Sequence, residues 1–225
     1  MLPLKTADLI HRLGDYFFFD WDQEREDKLS INLGMSPKIL EALDVPNFYE
    51  SWGYEAVNNE NAPLSLEVKQ WKLLEEQFFS WLKKAETVFL PDSQAIVTPN
   101  LCDFWLPHGS HFPTKLPRGK TWEKADHHRY ALLLAQGGVV DLGTPRCRQD
   151  YRGAVVENFE ELLVLGKMST RNFKLLFFAN KDRVYKITEY LTVTLEMKDE
   201  EAYRKVRETL TVMLDPFILY ETSVL

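Results

Sequence analysis

Apolar residues recur every three or four positions in the first part of the chain and in alternating or unbroken runs in the last part. The strongest helical stripe is Val68, Trp71, Leu74, Phe78, Trp81 and Leu82, within SLEVKQWKLLEEQFFSWLKKAE at 65–86. Ser65 precedes the stripe, and Glu67 near its start and Lys83 and Lys84 near its end complement the helix dipole. Trp71 and Trp81 read as core anchors, because burying a large side chain is worth roughly 1.5–3 kcal/mol. A short helix is predicted from Thr6, as cap, to about Tyr16, with Leu9, Ile10 and Leu13 on one side. Another covers SPKILEALDV, with Ser36 as cap and Pro37 in the first turn. Thr121 would cap a fourth over TWEKADHHRYALLLAQGG, stopped at Gly137.

Beyond Gly138 the pattern turns to strands. VVDLG, GAVVE, LLVLG, FKLLFFA, RVYKI and YLTVTLEM are strand-length runs rich in β-branched and aromatic residues, and SQAIVTP is a similar run upstream. Ala179 to Asp182 fits a hairpin turn. Asp199 would cap a late helix to about Leu214, with Tyr203, Val206, Leu210 and Met213 on one stripe, and FILYETSVL would close the chain as a strand. YFFFDWD suits a buried strand or packed turn, 46–63 an ordered loop anchored by Phe48, Tyr49, Trp52 and Tyr54, and 99–120 a proline-bearing loop.

This order predicts an α+β fold, with N-terminal helices packed on a mostly antiparallel C-terminal sheet and one late helix, rather than a doubly wound parallel sheet. Residues 1–225 are expected to form a single compact unit. A subdivision, if present, would separate a helical, aromatic-rich part at 1–90 from a mostly β part at 91–225.

Composition narrows the class. Hydrophobic residues at 45% and charged residues at 27% exclude a disordered chain. No apolar run approaches the roughly 18 residues of a membrane span. MLPLKTADLIHRLGDY is broken by Asp8, His11 and Arg12, unlike a signal peptide. Cys102 and Cys147 make no disulfide framework. The expectation is a soluble cytoplasmic protein with both thiols reduced and no membrane partner.

The net charge of −7 hides an asymmetry. Lys115 to Lys186 carries 14 Lys+Arg against 8 Asp+Glu, whereas the first 114 residues carry 9 against 18. A basic middle attracts a phosphate, a nucleic acid or an acidic protein, or else pairs with the acidic segments of its own fold. The pI near 5.3 argues against a dedicated nucleic-acid binder, whose domain pI typically exceeds about 9.

Three constellations carry candidate chemistry. Arg146, Arg148 and Arg152, with Tyr151, Lys167 and Arg171, form a strip suited to ligand binding, since arginine gives planar bidentate recognition and an interleaved aromatic can stack on a base. The same arginines would favour a Cys147 thiolate, although no histidine is local. His108, His111, His127 and His128, with Cys102, offer donors for zinc, but in no common spacing. His127 and His128, adjacent on a helix, point about 100° apart. Asp182 with Glu196-x-Lys198 is the arrangement metal-dependent nucleases place on neighbouring strands, the carboxylates holding magnesium and the lysine steadying the attacking water. The alternative is that Glu196 and Lys198 simply face solvent opposite Val193 and Leu195. RGKTW is no P-loop, because Thr114 stands where the first glycine belongs.

The pattern therefore points to a binding or accessory module without a resident cofactor. Its basic centre would meet a phosphate-bearing ligand or an acidic protein, and its acidic, aromatic-rich N-terminal half would dock another protein. The alternative is a metal-dependent hydrolase or nuclease using the histidine cluster or Asp182, Glu196 and Lys198.

Overall fold

The computed structural model describes residues 1–16, 29–99, 105–106, 121–141, 151–171 and 173–213. Among these, seven strands pair into one antiparallel sheet. In chain order they are β1 (Leu2–Lys5), β2 (Leu29–Leu33), β3 (Ala95–Thr98), β4 (Tyr151–Val156), β5 (Leu176–Asn180), β6 (Arg183–Ile187) and β7 (Val193–Met197). Across the sheet the order is β1-β4-β3-β5-β6-β7-β2. The helices are α1 (Thr6–Leu13), α2 (Pro37–Ala42), α3 (Val68–Lys84), α4 (Glu86–Phe89), α5 (Lys124–Gln136), α6 (Phe159–Ser169) and α7 (Glu200–Met213).

The fold is α+β, with the predicted antiparallel meander β5-β6-β7 and the late helix α7. Both sheet edges, however, come from the N-terminal part: β1 pairs with β4 and β2 with β7. LPLK and LSINL are too short for their alternation to stand out.

One face of the sheet, with Val97, Val156, Phe177, Tyr185 and Leu195, joins the main core under the helices. The other face, with Ile96, Val155, Phe178 and Val184, packs against Leu9 and Leu13 of α1. Strands covered on both faces read as unbroken apolar runs, which explains AIVT and LFFA. Toward β7 and β2 this second face turns polar: Thr194 opposes Asn32 and Glu196 opposes Ser30. Two glycines allow the layers to approach. A Cβ on Gly153 would lie 2.6 Å from Leu9 Cδ1, and one on Gly166 would lie 2.8 Å from Phe79 Cε1.

Several predicted elements form as read. Ser36 Oγ accepts from the Ile39 amide with Pro37 in the first turn. A two-residue turn joins β5 to β6, with Asn180 Oδ1 accepting from the Asp182 amide. Asp199 Oδ1 accepts from the Ala202 amide to start α7. Trp71 and Trp81 are buried in the core.

Others differ for identifiable reasons. LLVLG is not a strand but the middle of α6. Asn158 caps that helix by accepting from the Glu161 amide at 3.0 Å, and Phe159, Leu162, Leu165 and Met168 form its buried stripe. A five-residue apolar window cannot separate the two states. Val139 and Val140 form no strand either, because the Val139 amide closes the end of α5 on the Leu134 carbonyl at 2.8 Å; VVDLG beyond Asp141 lies outside the described residues. Glu67 caps α3 in a reciprocal box with Gln70. Thr6 lies inside α1, and Thr121 opens a short 3-10 turn before α5. Of the loop anchors, Phe48 and Tyr54 are buried whereas Trp52 is exposed. FILYETSVL and most of YFFFDWD lie outside the described residues. No helix among the described residues is long and apolar enough to cross a membrane.

Candidate binding groove and the charged network beside it

The apolar stripe of α3 contains a carboxylate. Glu75, one turn after Trp71, faces the core, and its side chain is 6% exposed. A carboxylate held there needs compensating charge and hydrogen bonds. Arg171, just beyond the end of α6, supplies them. Its Nη2 lies 3.0 Å from Glu75 Oε1 and 2.8 Å from Asp126 Oδ2 on α5, and its Nη1 donates to the Lys167 carbonyl at 2.7 Å. Lys167 Nζ stands 3.6 Å from Glu75 and 3.8 Å from Asp126. Two cations thus balance two carboxylates, and three helices are tied at one place. The Arg171 guanidinium also lies 5.4 Å from the Trp122 ring centroid, while Lys72 Nζ lies 5.8 Å from the same centroid.

A second buried group adjoins the first. The Tyr54 hydroxyl donates to the Glu123 carboxylate. Burial, then this carboxylate, pushes the Tyr54 hydroxyl far above its ordinary pKa. Glu123 Oε2 lies 3.9 Å from Nε2 of His127, which has no hydrogen-bond partner among the described residues. The His127 ring packs edge-on to Phe173. Burial, then the nearby Arg171 charge, pulls its pKa below the ordinary value despite the opposing pull of Asp126.

Beside this network, α5 and α6 run antiparallel and leave a groove of about 290 Å³ between them. Its α5 wall is Asp126, Arg129, Leu132, Leu133 and Gln136; its α6 wall is Glu160, Glu161, Leu163, Val164 and Lys167. Each set follows helical spacing, so the groove is two parallel stripes with an apolar middle and charged ends. At one end Asp126 and Lys167 are engaged with each other and with Arg171 and Glu75, whereas exposed Arg129 has no charged partner among the described residues. At the other end Glu161 accepts from the Glu157 amide at 2.8 Å and binds the Met1 amino group, whereas exposed Glu160 has no such partner among the described residues.

The predicted site residues fall into separate places. Lys167 and Arg171 come together, but against Glu75 of α3 and Asp126 of α5 in the same fold. Tyr151 and Arg152 begin β4, where their carbonyls accept from Trp105 Nε1 and Thr98 Oγ1. His127 is buried and His128 exposed, as their divergence on one helix requires. Asp182 Oδ1 accepts from Arg183 Nε at 3.3 Å, and Glu196 and Lys198 lie at the end of β7. Among the described residues no group of three or more His, Cys, Asp or Glu side chains is placed to hold a metal ion. Arg146, Arg148, Cys102, Cys147, His108 and His111 lie outside the described residues. Glu75, Glu123 and Arg129 are not among the residues that the sequence predicts for the site. Glu75 had a signal, since position 75 follows Trp71 by one helical turn on the apolar stripe.

Comparison with known proteins adds no relative: no family model, no curated protein and no solved structure matches the chain.

Two predictions follow from the network. Arg171→Met leaves Glu75 without its closest cation and lowers stability by about 3 kcal/mol, read from the urea midpoint. Adding Glu75→Gln recovers part of that loss, and a double variant less stable than the single one would contradict the pairing. His127 in the unfolded chain takes a proton near pH 6.5, whereas the folded site resists it. The stability owed to neutral His127 is therefore complete above about pH 6.5 and declines as pH falls below it. Relative to His127→Gln, the wild type should lose stability between pH 6.5 and more acid values; parallel pH curves would contradict the assignment.

Proposed function

We propose that this chain is a binding module that docks an acidic segment of a protein partner along the α5–α6 groove. The observation that carries the reading is Arg129: an exposed cation without a charged partner among the described residues, at one end of a groove with a leucine-lined middle. Two cations of the basic middle, Lys167 and Arg171, already have carboxylate partners within the fold. The net charge of −7 also gives no general attraction to a polyanion. Both facts favour a partner presenting a few carboxylates among apolar residues over a phosphate backbone.

The test titrates a labelled peptide of alternating leucine and glutamate pairs, and separately a short DNA duplex, by fluorescence anisotropy. The peptide binds in a salt-sensitive manner, and Arg129→Glu weakens it about tenfold, equivalent to about 1.4 kcal/mol. Tighter binding of the duplex than of the peptide would turn the reading to nucleic acid.

A second reading keeps hydrolase chemistry on the polar face of the sheet. In the β6–β7 register Val184 opposes Glu196 and Arg183 opposes Met197, and the Lys198 amide donates to the Asp182 carbonyl at 2.8 Å. Asp182 and Lys198 thus lie just beyond the ends of β6 and β7, next to the Val184–Glu196 pair. Two carboxylates near one strand end, beside a lysine, suit a magnesium-dependent phosphodiesterase. Under this reading the protein nicks supercoiled DNA when magnesium is added, and Glu196→Gln abolishes nicking while the thermal transition is retained. An inactive wild type removes it.

A further inference from the structure

Resting on the binding-module reading, we infer that the occupant of the α5–α6 groove is an amphipathic helix with an acidic turn at one end and a basic turn at the other. Leu132, Leu133, Leu163 and Val164 line the middle, and Leu132 is 39% exposed. The unpartnered charges are opposite at the two ends: Arg129 beside the Asp126–Lys167 pair, Glu160 beside the engaged Glu161. An occupant with carboxylates at both ends would meet Glu160 with like charge, and one with cations at both ends would meet Arg129.

The walls determine the backbone state. Both are helices, whose main-chain donors and acceptors bond within themselves away from the termini, so the groove offers no strand edge. An extended peptide would bury amide and carbonyl groups against leucine and valine with no partner to replace water. A helix satisfies its own backbone and presents apolar residues at three- and four-residue spacing, which match the ridges of α5 and α6. The α5 wall extends over the eleven residues Asp126 to Gln136, a rise of about 15 Å, so two to three turns of partner fill it.

The test uses labelled synthetic peptides of about 14 residues that share one leucine stripe at helical spacing. One has glutamates in one end turn and lysines in the other; a second has glutamates at both ends; a third has lysines at both; a fourth repeats the first with a central proline. Wild-type protein is expected to bind the first peptide about tenfold more tightly than the second, third or fourth. Arg129→Glu, a change at an exposed residue, should transfer the preference to the third peptide. Equal binding of the proline peptide overturns the helical occupant yet leaves the module reading intact. Equal binding of the first and second peptides overturns the charge polarity alone. Failure to bind any of the four removes the inference and the module reading together.

Discussion

A carboxylate in the apolar stripe of α3 is the constraint around which the helical layer is arranged. Glu75 cannot be shed into water without turning Trp71 and Phe78 out of the core, so the charge is answered from within. Arg171 does this from 96 residues away, and it reaches Asp126 on α5 with the same nitrogen. The arrangement fixes α3, α5 and the end of α6 relative to one another more specifically than apolar contact alone, because a guanidinium fork accepts few geometries. The α5–α6 groove takes its width from this fixture, since Asp126 and Lys167 belong both to the network and to the groove wall.

The sheet provides the other rigid reference. Two polar side chains of β6 stand among apolar neighbours and bond to the terminal carbonyls of α4: Arg183 Nη1 to Val88 and the Tyr185 hydroxyl to Phe89. Carbonyls at the end of a four-residue helix have no intrahelical partner, and buried ones must find another. Here the sheet supplies it. The Tyr185 ring meanwhile stacks on Phe177 with 4.9 Å between centroids, so one side chain serves packing and polar satisfaction at once.

Elements whose signal is local were legible in the sequence. The α3 stripe, the Ser36 and Asp199 caps and the β5–β6 turn depend on residues within a few positions of one another, and each formed as read. Elements defined by distant partners were not. β1 and β2 are strands because β4 and β7 cover their inner edges. LLVLG is helical because the Asn158 cap and the buried Phe159, Leu162 and Leu165 set a period that five residues cannot display. The candidate site divides in the same way. Lys167 and Arg171 were visible as cations, but that Glu75 and Asp126 engage them is a tertiary fact. Arg129 carried no local mark at all; its interest comes from lacking the partner its neighbours found.

The placement of the edge strands bears on how the chain assembles during synthesis. Leu2 pairs with Val155 and Leu29 with Met197, so β1 and β2 join the sheet only after β4 and β7, far along the chain, have been made. Until then LPLK and LSINL lack the partners that hold them in the sheet, and afterwards they remain its two edges. Closing such long loops makes folding slow relative to helical proteins of similar size. The helical segment around α3 can gather locally while the ribosome is still at work, but the sheet must await its far end. On a crowded polysome, that interval is when nascent chains of this protein are most open to pairing with one another.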